Sequence, residues 1–170
     1  VDIGDDLALS SDASKIFFGV NSDVFITHRH DDGLRLKTIA TGDNSPFILS
    51  LESGETDIAA DDVIGQIDFA AVDEGTGTDA VLVAAGIAAV SEGDFSASNN
   101  ATKLSFRTAA SEVASEKMSL SSTGLLTIAD DLIIKDAGTI GSASDPDAIA
   151  IGSDGDVTLT QDLELQHDGA

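Results

Sequence analysis

The motif best suited to chemistry is a pair of histidines, His28 and His30, separated by a single arginine. Side chains two residues apart on a β-strand share a face, so we expect both imidazoles to point the same way, in line with Val24 and Ile26. If this row faces a threefold axis, three chains bring six imidazoles together. Six nitrogen ligands suit a transition metal such as Fe(II) or Ni(II) better than tetrahedral zinc. In the alternative interpretation both histidines lie at a strand end, solvated or bonded to the aspartates that follow.

Paired aspartates are a second candidate set, because carboxylates are the ligands that Ca²⁺ prefers. None of the pairs has the spacing of an EF-hand loop, and Asp154-Gly155-Asp156 is too short to count as a calcium repeat. Aspartate also favours turns, where its carboxylate bonds the nearby backbone, and we favour that role over calcium. No cofactor is required by the sequence. The pairs are Asp5-Asp6, Asp31-Asp32, Asp61-Asp62 and Asp130-Asp131.

Residues for covalent catalysis are missing from the sequence. The chain contains no Cys, has no Gly-x-Ser-x-Gly elbow, and places its three His outside any Ser-and-acid context. Carboxylate pairs suited to glycoside hydrolysis stay open as an alternative, because acidic residues are abundant along the chain. Polysaccharide-cleaving sites, however, usually include aromatic platforms for the sugar, and this chain contains neither Trp nor Tyr. We therefore predict that the protein is not an enzyme.

The charge limits the partners. Eight basic residues stand against 31 acidic ones, a net charge of −23. Phosphate backbones and anionic lipid surfaces attract basic proteins, so the sequence predicts no nucleic-acid partner and no binding to an anionic membrane. No apolar run approaches the length of about 20 residues that a membrane-spanning helix needs, and membrane insertion is not expected.

A short unit of a turn followed by an apolar-x-apolar strand recurs along the chain and predicts an all-β fold. Strands this short are unstable alone, but stacked copies bury a continuous core. The spacing is too irregular for a regular single-chain solenoid, which favours three chains wound into an intertwined β-helical or β-prism shaft. The copies are Asp5–Leu9, Ser22–Ile26, Asp32–Leu36, Thr123–Ile128, Asp130–Ile134, Asp147–Ile151, Gly155–Leu159 and Gln161–Leu165.

The middle of the chain has longer strand patterns. Alternation predicts strands at 47–51, 66–71, 103–107 and 117–120. Residues 80–90 could form a helix capped by Asp79 or a strand, and we favour the strand because strands flank it. We expect a small β-sandwich or jelly-roll-like domain at 44–122, with shaft segments at 1–43 and 123–170. Both ends interrupt a pattern, so we expect a fragment of a longer polypeptide.

With these segments in view, the chain resembles the tail-fibre proteins of tailed bacteriophages, particularly phages of aquatic and marine bacteria. The resemblance covers nearly the whole chain and is most specific in its middle. The matching segments are Asp23–Leu36, Gly65–Phe69, Gly93–Phe95, Lys103–Thr108, Glu116–Met118, Gly138–Ser142 and Gly155–Leu159.

This resemblance implies an elongated homotrimer, located on the virion and extracellular, that contributes to host-cell attachment. Its expected partners are two further copies of itself, other fibre or tail proteins, and a host surface glycan or protein. Metal ions held by His-x-His pairs occur in trimeric fibres of this kind, which favours the metal interpretation of His28 and His30. No segment matches the self-cleaving chaperone domain that often ends such fibres.

Two alternatives differ in kind from a structural fibre segment. In one, the central domain binds a host glycan or protein through the loops at 73–79 and 91–101. In the other, the chain is a calcium-stabilised bacterial surface adhesin, commonly monomeric and sensitive to chelators. A parallel, in-register trimer would distinguish the fibre from the adhesin, and a demonstrated ligand would identify the binding module.

Overall fold

A computed structural model describes residues 7–161 of the chain, and eleven β-strands make up its regular structure. These residues contain no helix, which confirms the predicted all-β class. Accordingly, no helix in this range is long and apolar enough to cross a membrane. Contacts divide the chain between Leu51 and Glu52 into two compact units.

The first unit holds one antiparallel sheet in the order β1-β2-β3. Its strands are β1 (Lys15–Phe18), β2 (Val24–Arg29) and β3 (Gly33–Thr38). The turn between β2 and β3 contains Asp31 and Gly33 at φ values of 58° and 101°. Asp and Gly adopt this left-handed backbone more readily than other residues. Two of the repeated turn-strand units thus pair with each other as a hairpin.

The two faces of this sheet differ in character. On one face Phe25 is buried, with the ring of Phe17 at 5.6 Å and the ammonium group of Lys15 5.2 Å from its ring centre. On the other face Ile26 pairs with Ile16 and with Leu36, forming an aliphatic row across all three strands. The aliphatic row is the face that carries His28.

The second unit is dominated by a five-stranded antiparallel sheet in sequence order, β4-β5-β6-β7-β8. Register shifts interrupt the pairing near both ends of the first of these strands and between Phe106 and Arg107. Each strand therefore pairs with its neighbours in sequence, and β4 and β8 form the two edges. The strands are β4 (Val63–Ala70), β5 (Val83–Ser91), β6 (Thr102–Thr108), β7 (Ser115–Leu120) and β8 (Leu126–Ile128).

A buried hydroxyl group joins the segment that leads into β4 to the end of β5. Ser91 is 1% exposed; its hydroxyl accepts the Asp62 N–H at 3.0 Å and donates to the Ala59 carbonyl. The Asp62 carboxylate accepts the Ala59 N–H at 2.6 Å and closes the turn around Asp61, whose φ is 71°. The Phe95 N–H bonds the Ile58 carbonyl at 2.8 Å. These bonds hold residues 58–62 on the β5 side of β4.

A second three-stranded antiparallel sheet lies towards the end of the described range, in the order β11-β10-β9. Its strands are β9 (Gly138–Ile140), β10 (Ile149–Ile151) and β11 (Val157–Leu159). Five repeated units contain a strand, namely those with β2, β3, β8, β10 and β11. No strand forms at 7–9 or at 130–134, and the strand part of the Gln161–Leu165 unit lies outside the described residues.

The central region departs from the sandwich or jelly roll predicted for it. Its five strands form a single sheet, whereas a sandwich needs two packed sheets. Part of the reason is that Phe47–Leu51, predicted within its first strand, forms no strand and is unpaired among the described residues. The strand predicted at residues 80–90 is confirmed as β5, and β8 extends the sheet beyond the predicted domain end at residue 122.

Candidate functional site

The two histidines occupy different settings at the end of β2. His28 lies in the strand and pairs with Leu34 of β3, whereas His30 follows the last strand residue and lies in the turn. His30 Nε2 is 3.2 Å from the Asp31 carboxylate and its Nδ1 is 3.6 Å from that of Asp12. His30 thus makes the carboxylate contacts of the alternative interpretation, while His28 remains on the aliphatic face.

A shallow cavity of about 280 Å³ adjoins His28. Its other walls are largely aliphatic, so the imidazole is the only ionisable group among them. Ile26 lines the same cavity, as expected for a residue two positions away on one strand. The lining residues are Leu9, Ser14, Ile16, Ile26, His28 and Leu34.

A metal site within one copy finds no support in the described part of the chain. No group of three or more His, Cys, Asp or Glu side chains is placed to hold an ion there. Within the described residues Asp31-Asp32 and Asp61 lie in turns, and two pairs bond the nearby backbone instead: the Asp62 carboxylate accepts the Ala59 N–H, and that of Asp130 accepts the Asp131 N–H at 3.0 Å. Asp5-Asp6 lies outside the described residues. The six-imidazole site of His28 and His30 needs three copies and stays a prediction.

The most extensive candidate surface is one face of the five-stranded sheet. Directly paired residues of antiparallel strands share a face, so the pairs Ile67–Ile87 and Ile87–Phe106 begin a row that crosses the sheet. A second row runs alongside it. We call this surface the apolar face; it consists of Ile67, Phe69, Ile87, Leu104, Phe106, Met118, Leu120, Leu126 and Ile128.

Large side chains on the apolar face are strongly exposed. Phe69 and Leu126 expose 55% and 56% of their surface, and Ile67 exposes 46%. In the whole described range the buried hydrophobic residues are only Phe25, Ala88 and Ala114. Contiguous apolar surface on this scale usually marks an interface. The apolar face is therefore the surface of this unit that most needs a partner.

The opposite face of the same sheet carries a charged network. Arg107 Nη2 donates to Asp68 at 2.7 Å and to Gln66 Oε1 at 3.3 Å. These groups cross over Gly86, where an added Cβ would lie 2.8 Å from the Asp68 carboxylate and 3.0 Å from Arg107 Nη2. Glycine is needed here for close approach. Because the network already pairs its charges, this face is not an open anion or cation site.

A second ion pair on this opposite face, which we call the polar face, involves Glu116. Its carboxylate lies 2.9 Å from the ammonium group of Lys103, and the hydrogen bond from Lys103 and a further one from Ser105 lower the pKa of Glu116 below its ordinary value of 4.5. A carboxyl group with a lowered pKa stabilises the fold above its ordinary pKa, and this contribution is lost as the pH falls through the lowered pKa.

We expect Glu116→Gln to lower the unfolding free energy at pH 7 by about 0.5–1 kcal/mol, since the pair is about one-third exposed and partly screened by solvent. At a pH well below this lowered pKa the variant and the parent should converge, because the parent carboxylate is then protonated. Urea unfolding at both pH values measures the difference. Glu112→Gln, at an exposed carboxylate, is the control; an equal loss in both variants would contradict the assignment.

The comparisons with known proteins found no relative. No family model, no curated protein and no solved structure matches the chain. The geometry of the described residues therefore carries the functional argument together with the sequence patterns.

The apolar face was not among the sites predicted from sequence. Its signal was present in the alternation of Ile67 with Phe69, Leu104 with Phe106, and Met118 with Leu120. Alternation alone shows that each strand has an apolar side. Whether that side is covered depends on a second layer, and the predicted sandwich assumed one.

Proposed function

We propose that the chain is a structural segment of a homotrimeric viral tail fibre, extracellular and part of the virion, that supports host-cell attachment. In this proposal copies of the chain pack through their apolar faces and are joined to other fibre or tail proteins. The observation that carries it is the apolar face, an extensive hydrophobic surface on a folded sheet. The phage-fibre resemblance supplies the kind of assembly.

The energy available from covering this face supports assembly. Fully burying one large aliphatic or aromatic side chain contributes about 1.5–3 kcal/mol. Six residues of the face each expose between 38% and 56% of their surface, so covering them would contribute roughly 4–8 kcal/mol per chain. That is comparable with the entire stability of an ordinary domain. The six are Ile67, Phe69, Ile87, Leu104, Leu120 and Leu126.

The first unit supports the same conclusion independently. Leu34 and Leu36 of β3 expose 73% and 42% of their surface, and Ile16 of β1 exposes 39%. This aliphatic surface adjoins His28. Among the described residues of the first unit there is one three-stranded sheet and no second sheet to cover that surface. Two separately folded sheets with exposed apolar faces favour a symmetric assembly over a single-chain enzyme or carrier.

The mass of the protein in solution tests the proposal. We expect light scattering after size-exclusion chromatography to give three times the chain mass of 17.3 kDa. Cross-linking of chains labelled at one end should then show parallel orientation. A monomer at micromolar concentration would contradict the fibre, and a monomer that loses stability in EDTA would favour the calcium-stabilised adhesin.

A further inference from the structure

Residues 46–52 form no regular secondary structure and have no partner strand among the described residues. Their backbone N–H and C=O groups have no hydrogen-bond partner among the described residues. Phe47, Leu49 and Leu51 alternate with Ile48, Ser50 and Glu52, the pattern of a strand with one apolar side. Ile48 exposes 74% of its surface and Leu49 59%. Unpaired backbone and exposed apolar side chains together indicate a strand that pairs outside its own chain.

Strand β4 offers a free edge of matching length. It is the outermost strand of the five-stranded sheet and, at eight residues, the longer of that sheet's two edge strands. Edge strands are normally protected by Lys, Pro or an outward charge. β4 contains neither Lys nor Pro, and its one charged residue, Asp68, is held over the sheet by Arg107. Register shifts occur near both ends of β4, but between Gly65 and Phe69 the strand is regular, and no strand among the described residues pairs with its outer edge.

We infer that residues 46–52 of one copy add as a sixth strand to the outer edge of β4 in a second copy. The inference rests on the proposed assembly of copies. The regular part of β4, Gly65–Phe69, matches residues 47–51 in length.

The side-chain pattern fits this placement. With Phe47, Leu49 and Leu51 on the side of Ile67 and Phe69, the added strand widens the apolar face by one row. Ile48, Ser50 and Glu52 then lie on the polar side of the sheet, where Ile48 is the one apolar member. Main-chain hydrogen bonds would supply affinity in this arrangement, and the alternating side chains would supply specificity, as in other cases of strand addition.

Hydrogen exchange of the full chain, resolved by peptide mass spectrometry, tests the inference without assuming a register. We expect amides 47–51 to exchange at least about tenfold more slowly in the assembled protein than in a free peptide of the same sequence. Free exchange of these amides within a trimer would overturn the inference but leave the proposed function standing. A chain that stays monomeric would overturn both.

Proline substitution gives a second readout. Leu49→Pro removes an N–H that has no acceptor in the described chain, so far-UV circular dichroism of the single chain should not change. We expect its assembly to weaken at least about tenfold, because proline interrupts the added strand. Gly54→Pro, beyond the segment and with open space around the glycine, is the matched control. Equal assembly of both variants would overturn the inference.

Cross-linking between introduced cysteines identifies the partner strand. Because the chain contains no native cysteine, only the introduced thiols can react. Ser50→Cys and Gln66→Cys chains, one of them isotopically labelled, are refolded together and treated with a short thiol-reactive cross-linker. We expect links between position 50 of one chain and position 66 of the other. Links only between two copies of position 50 would show that the segments pair with each other, which contradicts addition to β4.

Discussion

Replacing Ile87 by aspartate is expected to convert the assembled protein into folded monomers. Ile87 lies in the second strand of the apolar face and pairs with Ile67 on one side and Phe106 on the other. A carboxylate buried in the assembly would lose its hydration without gaining a cation, at a cost of several kcal/mol in each copy. The side chain is 38% exposed in the single chain, so the isolated sheet can hydrate the new charge.

Light scattering measures the loss of assembly by Ile87→Asp, and circular dichroism verifies that the β-structure remains. The matched control is Thr127→Asp, which adds the same charge to an exposed strand position on the opposite face of the same sheet. We expect the control to retain the mass of the parent. If Ile87→Asp kept the parent mass at micromolar concentration, the apolar face would not be the assembly surface.

Replacing Ser91 by alanine is expected to lower the unfolding free energy of the second unit by about 1–3 kcal/mol. The change removes the 3.0 Å acceptor of the Asp62 N–H and the hydroxyl donor to the Ala59 carbonyl, beside a side chain that is 1% exposed. Only the longer bond of 3.3 Å from the Asp62 N–H to the Ala59 carbonyl then remains. The cost is high because water cannot readily replace either bond at a buried position. The turn that leads into β4 should loosen first.

Urea unfolding in the Ile87→Asp background measures this loss without a contribution from assembly. Ser115→Ala removes the same hydroxyl from an exposed position at the start of β7 and should change stability by less than about 0.5 kcal/mol. Equal losses in the two variants would show that the hydrogen bonds of the Ser91 hydroxyl stabilise the fold no more than an exposed serine hydroxyl does. Faster hydrogen exchange at Asp62 in the Ser91→Ala variant would locate the effect.

The strands of the central sheet were largely predictable because they depend on local alternation. The patterns around Ile67, Leu104 and Met118 predicted β4, β6 and β7. Residues 80–90, favoured as a strand because strands flank them, contain β5. The Phe47–Leu51 segment has an equally clear pattern but forms no strand among the described residues. Alternation indicates which side chains prefer to be buried on one side of a strand. A strand also needs a neighbouring strand to pair with, and the local sequence does not identify that neighbour.

The candidate site was less predictable for the same reason. An apolar face exists only when the register aligns the apolar sides of neighbouring strands. A register shift between Phe106 and Arg107 changes the pairing of β6 with β7, and the local sequence does not indicate such a shift. The position of His30 depended on one residue: β2 ends at Arg29, so His30 falls in the turn next to Asp31. Boundaries of this kind are set by turn geometry more than by strand propensity.

The sequential strand order has a consequence for the time at which the protein folds. In each of the three sheets every strand pairs with a strand adjacent in the chain. Such short-range pairing closes small loops and is fast compared with long-range strand pairing. Each sheet can therefore form while the chain is still being synthesised, and in the proposed assembly the copies would meet afterwards as finished sheets. During that interval the exposed apolar faces depend on the mutual repulsion of chains that each carry a charge of −23 to avoid unordered association.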